Sequence, residues 1–199
     1  MNTGYQMDSR NQLRPAGGNG SDSAPNVQAQ LLSVRVQGEL RKPAVVMVTS
    51  ARAGDGKSLT SYLLAASLEG CNHRVSLMEV PDEQEASNER LSAFVEELRS
   101  NYDFTVIDAP AFPRSSTVLS LARLVDGILI AVRVGRAPTA EDESMVGILE
   151  DLGGNVVGVV AAEADTIANF EGARGERRSS TQPQPRRNAE NNPAPGLTW

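Results

Sequence analysis

One cysteine, Cys71, and one histidine, His73, are all that 199 residues contain of either type. A lone thiol closes no internal disulfide, and neither a thiolate zinc site nor a His-based metal cluster can be assembled from one of each. The usage fits a reducing compartment. No run approaches the roughly 18 apolar residues that a membrane-crossing helix needs, and the N-terminal residues carry no apolar signal core. A cytoplasmic protein is the expectation. Positive charge is also short in the middle of the chain, where residues 43–170 hold nine basic and nineteen acidic side chains within a net charge of −6. Non-specific nucleic-acid binding needs clustered Lys and Arg to displace counterions, so nucleic acid is not an expected partner.

The 40% hydrophobic content supports one ordinary domain with a core. Residues 1–26 are rich in Gly, Asn, Ser, Asp and Pro without periodicity and are expected to be a disordered N-terminal tail. Residues 27–42 read as a weak helix and linker, with Val27, Leu31, Val34 and Leu32 at helical spacing. Residues 43–170 form the expected domain. Residues 171–199 are dominated by Arg, Pro, Gln, Asn and Ser, show no apolar stripe, and read as a disordered C-terminal tail.

The most informative stretch is Val45-Val46-Met47-Val48-Thr49-Ser50-Ala51-Arg52-Ala53-Gly54-Asp55-Gly56-Lys57-Ser58. An apolar, β-branched run passes through a small-residue loop into Gly-Lys-Ser and a helical pattern, which is the strand–loop–helix of a phosphate-binding loop. Polyphosphate requires several inward-pointing backbone N–H groups, and only glycine and small residues let the backbone wrap so closely. The helix that follows turns its positive end toward the same anion. Ala53, Gly54, Asp55, Gly56, Lys57, Ser58 and Leu59 are therefore the candidate nucleotide contacts. Lys57 is placed to reach the β/γ-phosphates and Ser58 to ligate Mg²⁺. The strict pattern places Gly six positions before the lysine, and Ala51 stands there.

Strand and helix signals alternate through the rest of the domain. Strands are expected at Ala44–Ser50, Arg74–Val80, Asp103–Asp108, Gly127–Val134 and Asn155–Ala162. Between them lie a helix from Lys57 to about Glu69, buried through Leu59, Leu63, Ala66 and Leu68, and a helix to about Arg99 with Leu91, Phe94, Val95 and Leu98 on one face. A short helix is expected over Ser116–Leu124. A further one follows a Thr139 cap with Asp142 in the capping-box place, its stripe formed by Met145, Ile148, Leu149 and Leu152. Gly70 or Asn72 can take the left-handed position that closes the first of these helices. The alternation predicts an α/β fold with a doubly wound, mainly parallel sheet and P-loop NTPase architecture. Asp108 ends an apolar strand and breaks into Ala109-Pro110, which puts a carboxylate at the sheet edge where ligands sit.

Three blocks carry a resemblance: Thr49–Ser58; Tyr102-Asp103-Phe104-Thr105-Val106-Ile107-Asp108-Ala109-Pro110; and Leu121–Gly127 continuing through Ala131-Val132-Arg133-Val134-Gly135-Arg136. Over about residues 44–162 the chain resembles the bacterial tyrosine kinases of capsular and exopolysaccharide synthesis, relatives of the MinD/ParA ATPases. In that group Ala or Ser often stands where Ala51 does. The resemblance implies that Asp108 holds Mg²⁺ through water while Lys57 and Ser58 hold the phosphates and the metal, with ATP and Mg²⁺ as cofactors. It further implies a membrane-bound polysaccharide co-polymerase as partner, association with the membrane through that partner, and ring-like homo-oligomers built through the region of Val27–Leu40.

Departures from the group limit what carries over. Its second strand ends in an Asp-x-Asp pair, matched here by Glu79 and Pro81; Glu79 can serve as a metal-side carboxylate with one extra methylene, and Pro81 cannot. Displacement of a reacting group by about 1 Å costs roughly 10²-fold in rate. The segment before the third strand is reduced to one helix. Ala162 replaces the Asn that reads the base, and Arg52 stands where MinD/ParA ATPases carry lysine, keeping the charge but not its geometry. Tyr5, Tyr62 and Tyr102 are the only tyrosines, and none lies in the C-terminal tail. Three readings follow: a Mg-ATP or ADP binder with weak or absent kinase activity; an active ATPase or protein-tyrosine kinase using Glu79; and a scaffold that binds no nucleotide. A MinD/ParA-type ATPase is a separate, lesser alternative. Arg133 and Arg136 read as solvated turn residues, with inter-subunit or loop contacts the alternative, Arg52 as an exposed loop charge or phosphate contact, and Cys71 and His73 as structural.

Overall fold

The computed structural model describes residues 4–7, 13–16, 27–80, 87–112, 115–137 and 139–163. Its elements in chain order are β1 (Gly4–Met7), β2 (Leu13–Ala16), α1 (Val27–Glu39), β3 (Ala44–Thr49), α2 (Lys57–Gly70) and β4 (Val75–Glu79). They continue through α3 (Asn88–Asn101), β5 (Phe104–Asp108), α4 (Ser116–Ala122), β6 (Gly127–Arg133), α5 (Ala140–Asp151) and β7 (Val156–Ala162). The last five strands form one parallel sheet in the order β4-β5-β3-β6-β7. The chain thus leaves the central β3 toward one edge, returns through β5, and crosses to the other edge. The two halves part beside β3, which is the switch point of a doubly wound α/β fold and the place where such folds bind ligands.

β3 is buried along its whole length, which requires cover on both faces because its side chains alternate between them. On one face α1 and α2 bring Val36, Leu40, Leu64, Ala65 and Leu68 onto Val46, Val48, Phe104 and Val106. On the other, α3, α4 and α5 bring Leu91, Val95, Leu121, Met145 and Leu149 onto Val45, Met47, Ile107 and Ile130. The opposite, amino end of the sheet is tied by Asp126. Its carboxylate accepts from the Val45 N–H (2.7 Å) and from the Arg99 guanidinium (3.0 and 3.2 Å), joining β3, α3 and the entrance to β6.

Several expectations are corrected. The helix expected within residues 27–42 forms as α1, but it is no linker: Val36 and, just past its end, Leu40 belong to the core. Of its expected apolar residues only Leu32 packs against the core; Val27, Leu31 and Val34 point outward, 63–65% exposed. Ala29 and Ser33 are buried in their place, because small side chains let α1 settle closely on α2 while Val36 and Leu40 fix its rotation. α2 is likewise turned by about one residue. Leu64 and Ala65 are buried where Leu63 and Ala66 were expected, and Leu59 and Leu68 hold as predicted. α4 stops at Ala122 rather than Leu124, the chain turning there to bring Asp126 under β3. On α5 Ile148 is 40% exposed, leaving Met145 and Leu149 to pack. At the N-terminus, β1 and β2 pair antiparallel within the stretch expected to lack regular structure. The remainder of that tail, Pro81–Asp82 and the C-terminal tail lie outside the described residues.

Asn72 adopts φ 64° in the turn after α2, as expected of the left-handed closing position. Gly154 performs a different task between α5 and β7. A Cβ there would lie 2.7 Å from Ile128 Cδ1, 2.8 Å from the Leu149 carbonyl oxygen and 3.2 Å from that of Ala122. Two of these obstacles are backbone and cannot rotate away. Gly154→Ala is expected to destabilise the fold by about 1–3 kcal/mol, read as a fall of several degrees in the thermal unfolding midpoint; an unchanged midpoint would show that the backbone there yields freely.

Candidate functional site

Strand β3 delivers the chain to the carboxyl edge of the sheet at Thr49, whose Oγ1 donates to the Pro110 carbonyl (2.8 Å). The Phe112 N–H donates to the Ser50 carbonyl (2.8 Å) and the Ala109 N–H to that of Val48 (3.0 Å). The loop that begins here is therefore stitched to the segment following Asp108. Ser50 Oγ donates to the Arg52 carbonyl (2.6 Å) and tightens the first turn. Gly54 and Gly56 then take φ values of 80° and 88°, left-handed conformations in which a side chain would clash with its own backbone.

Between Ala53 and Leu59 a single turn at Ala53–Gly54 directs the Asp55 N–H back toward the Arg52 carbonyl, and the other backbone N–H groups of the stretch make no backbone hydrogen bond among the described residues. Gly56 is the N-cap of α2 and no side chain caps that helix end. A row of uncommitted N–H groups between left-handed glycines and at a helix N-terminus is an anion cradle. Lys57 and Ser58 stand half-buried at its rim on the first turn of α2. The residues present thus fit a polyphosphate. Leu59 differs from its neighbours: its side chain packs against Leu63 and Ala162, which leaves only its N–H for a ligand. Ala162, at the end of β7, offers a methyl group to that contact and no hydrogen-bonding function.

Asp108 and Glu79 occupy the same register position on the paired strands β5 and β4, and Asp108 also registers with Val48 of β3. Side chains alternate, so residues 104, 106 and 108 share one face of β5, and residues 75, 77 and 79 share the corresponding face of β4. That is the face covered by α2. The two carboxylates therefore stand on adjacent strands, on the side of the sheet from which α2 projects its first turn. Asp108 is buried and Glu79 exposed. No group of three or more His, Cys, Asp or Glu able to hold a metal occurs among the described residues. A cation here would need phosphate oxygens and the Ser58 hydroxyl to complete its shell, which suits Mg²⁺.

The loop also carries an ionic latch that the sequence reading missed. Asp55, between the two glycines, is 1% exposed. Both its carboxylate oxygens are taken by the Arg136 guanidinium, at 2.5 and 3.1 Å. Arg136 also reaches Asp142 on the first turn of α5 (3.1 Å). Asp142 accepts from the Thr139 N–H and hydroxyl, each at 2.8 Å, and lies 3.7 Å from Arg52. Arg52 donates to Thr139 Oγ1 at 2.5 Å. Arg136 is thus no solvated turn residue, and Arg52 is folded onto the start of α5 rather than standing as an exposed loop charge. Arg133 is exposed, as expected. The signal for Arg136 lay in topology. Once β6 neighbours β3, a basic residue just past the end of β6 falls beside the loop that follows β3.

His73 bonds Gln37 Oε1 (2.9 Å) and meets Phe104 edge-on at 5.0 Å, and Cys71 is exposed. The Asp142 carboxyl is raised by burial, but the Thr139 hydrogen bonds and the charges of Arg136 and Arg52 outweigh this and hold it below its ordinary value. A depressed carboxylate adds stability in full above the unfolded value near 3.8 and loses it as pH falls toward the folded value. Asp142→Asn should accordingly destabilise the chain by the same amount at pH 7 and pH 5 and by less below about pH 4. Urea unfolding across that range checks this; a difference that widens in acid would contradict the assignment.

No protein-family model matches the sequence, and no curated protein matches it. Solved structures share its fold. The kinase domain of Escherichia coli tyrosine kinase ETK superposes with a TM-score of 0.62 at 17% identity, over 72% of this chain and 76% of that one. The VpsO kinase domain does so with a TM-score of 0.59 at 20% identity, over 69% and 93%. The MinD cell division protein of Aquifex aeolicus gives 0.53 at 17% identity, over 65% and 73%. With its five parallel strands and its loop between β3 and α2, the chain has the P-loop NTPase fold that bacterial tyrosine kinase domains share with MinD-type ATPases.

Proposed function

We propose that this chain binds ATP or ADP with Mg²⁺ at the 53–59 loop and serves exopolysaccharide synthesis as a nucleotide-responsive regulator with weak or absent tyrosine kinase activity. The observation that carries the reading is the loop from Ala53 to Leu59, whose left-handed Gly54 and Gly56 lead into Lys57 and whose N–H groups, apart from the turn at Ala53–Gly54, make no backbone hydrogen bond among the described residues. The N–H groups and the α2 dipole would hold the β-phosphate, and Lys57 would bridge the terminal phosphates. Ser58 and Asp108 would hold Mg²⁺, which supplies charge neutralisation to the phosphates when bound. The polysaccharide assignment, and a membrane-bound co-polymerase as partner, rest on the resemblance to bacterial tyrosine kinases and on the shared fold of the ETK and VpsO kinase domains. Weak kinase activity is supported by Glu79 and Pro81 in place of the Asp-x-Asp pair and by the absence of tyrosine from residues 171–199.

A second reading, an active ATPase, is favoured by one observation: Glu79 lies in register beside Asp108. Calorimetry with Mg-ADP and Mg-ATP tests the first reading. Affinity in the micromolar range, about −8 kcal/mol, is expected for the parent chain, with loss of about tenfold or more in Lys57→Ala from one removed charged contact. Identical binding by both would overturn the phosphate site. Turnover measured beside it separates the two readings. Mg²⁺-dependent hydrolysis that falls roughly 10²-fold in Glu79→Ala while binding holds would establish the ATPase, and negligible turnover in the parent would exclude it.

A further inference from the structure

The Asp55–Arg136 pair joins the middle of the phosphate loop to a different crossover of the sheet. Asp55 places a carboxylate directly in a site otherwise built to attract anions. Buried and uncompensated, that charge would be costly in itself and would repel an approaching polyphosphate at short range, where protein screening is weak. Arg136 meets both of its oxygens, the two-point geometry that fixes orientation as well as charge. The peptide groups on either side of Asp55 belong to the cradle, since Gly54 and Gly56 flank it in left-handed conformations. Holding the Asp55 side chain therefore holds the direction of the neighbouring N–H groups. Arg136 is itself held by Asp142 Oδ1, and the other oxygen, Oδ2, accepts from the Thr139 N–H and hydroxyl.

We infer that Arg136 is a positioning residue for nucleotide binding: it neutralises Asp55 and locks the loop in its phosphate-accepting shape before the ligand arrives. The inference rests on the nucleotide-binding reading above and adds to it a residue outside the loop. It has a directional consequence. Without Arg136, the loop retains every one of its own residues, yet the carboxylate at its centre is unpaired and its N–H groups are free to turn. Asp55→Asn in the same background removes the repelling charge while keeping a similar shape, and so restores most of the affinity.

The test is calorimetric binding of Mg-ADP to the full chain as parent, Arg136→Met, Arg136→Lys and the double variant Asp55→Asn/Arg136→Met. Each is measured well below its own thermal midpoint. Expected are a weakening of about tenfold or more in Arg136→Met, in line with the loss of a charge-assisted bidentate pair. Arg136→Lys should fall between that variant and the parent because it keeps the charge but not the fork. The double variant should return to within about threefold of the parent, as coupled neighbours do. A role confined to holding the fold would lower the midpoint of Arg136→Met and leave its affinity untouched, which overturns the inference. A deficit that Asp55→Asn fails to repair overturns it too. If the parent binds and Arg136→Met binds equally, only this inference falls; if the parent itself binds no Mg-ADP, the nucleotide reading falls with it.

Discussion

Strand β3 has no face and no edge in water, and that constraint organises the molecule. A strand flanked on both sides by parallel partners cannot be joined to them by tight turns, so each connection must cross a face of the sheet, and helices fill that role. The crossover α2, joined by α1 that precedes β3, covers Val46 and Val48, and the crossovers α3, α4 and α5 cover Val45 and Met47. Parallel strands also end together. The carboxyl ends of β3, β4, β5 and β6 therefore meet at one rim, which gathers the glycine loop, Glu79, Asp108 and the Gly135-Arg136 turn from widely separated parts of the chain.

On the nucleotide-binding reading proposed above, the rim would have to receive a polyanion within an acidic protein. Its net charge is −6, and two arginines near the loop are engaged by Asp55, Asp142 and Thr139 rather than turned outward. On that reading attraction would come instead from backbone dipoles, which are fixed by the fold and need no counter-charge. Asp108 and Glu79 add negative charge on the neighbouring strands, a disposition that suits a ligand arriving together with a divalent cation. Side-chain cations then serve mainly to hold the shape, and Lys57 is the exception at the rim.

The architecture was legible because buried parallel strands leave near-continuous apolar runs such as Gly127–Arg133, and because glycine marks the loop. The gathering of Lys57, Ser58, Asp108 and Glu79 at one sheet edge was legible for the same reason, once strand ends were placed. Rotation of helices was not. In α1 the larger aliphatics Val27, Leu31 and Val34 suggested the buried face, yet close approach to α2 selected Ala29 and Ser33. Periodicity reports which residues share a face but not which face meets a neighbour. The Arg136–Asp55 latch was hidden in a similar way: its partners lie 81 positions apart and meet only because β6 pairs with β3, a fact of strand order that no local pattern contains. The β1–β2 pairing arises in a segment whose composition offers little surface to bury, so composition argued for a chain without strands.

Chirality divides the loop into positions of unequal evolutionary latitude. At Gly54 a Cβ would meet nothing within 4 Å, so room is not what disfavours larger residues; the sign of φ does so at that position and at Gly56. A handedness barrier cannot be relieved by rearranging neighbours, unlike a crowded core, where compensating changes restore the fit. Ala51 and Ala53 carry no such restriction, and the loop can drift there in sequence while its path through space stays the same. Substitution at Ala51 or Ala53 would therefore change the letters of the motif while leaving its path, whereas a side chain at Gly54 or Gly56 would work against the path itself.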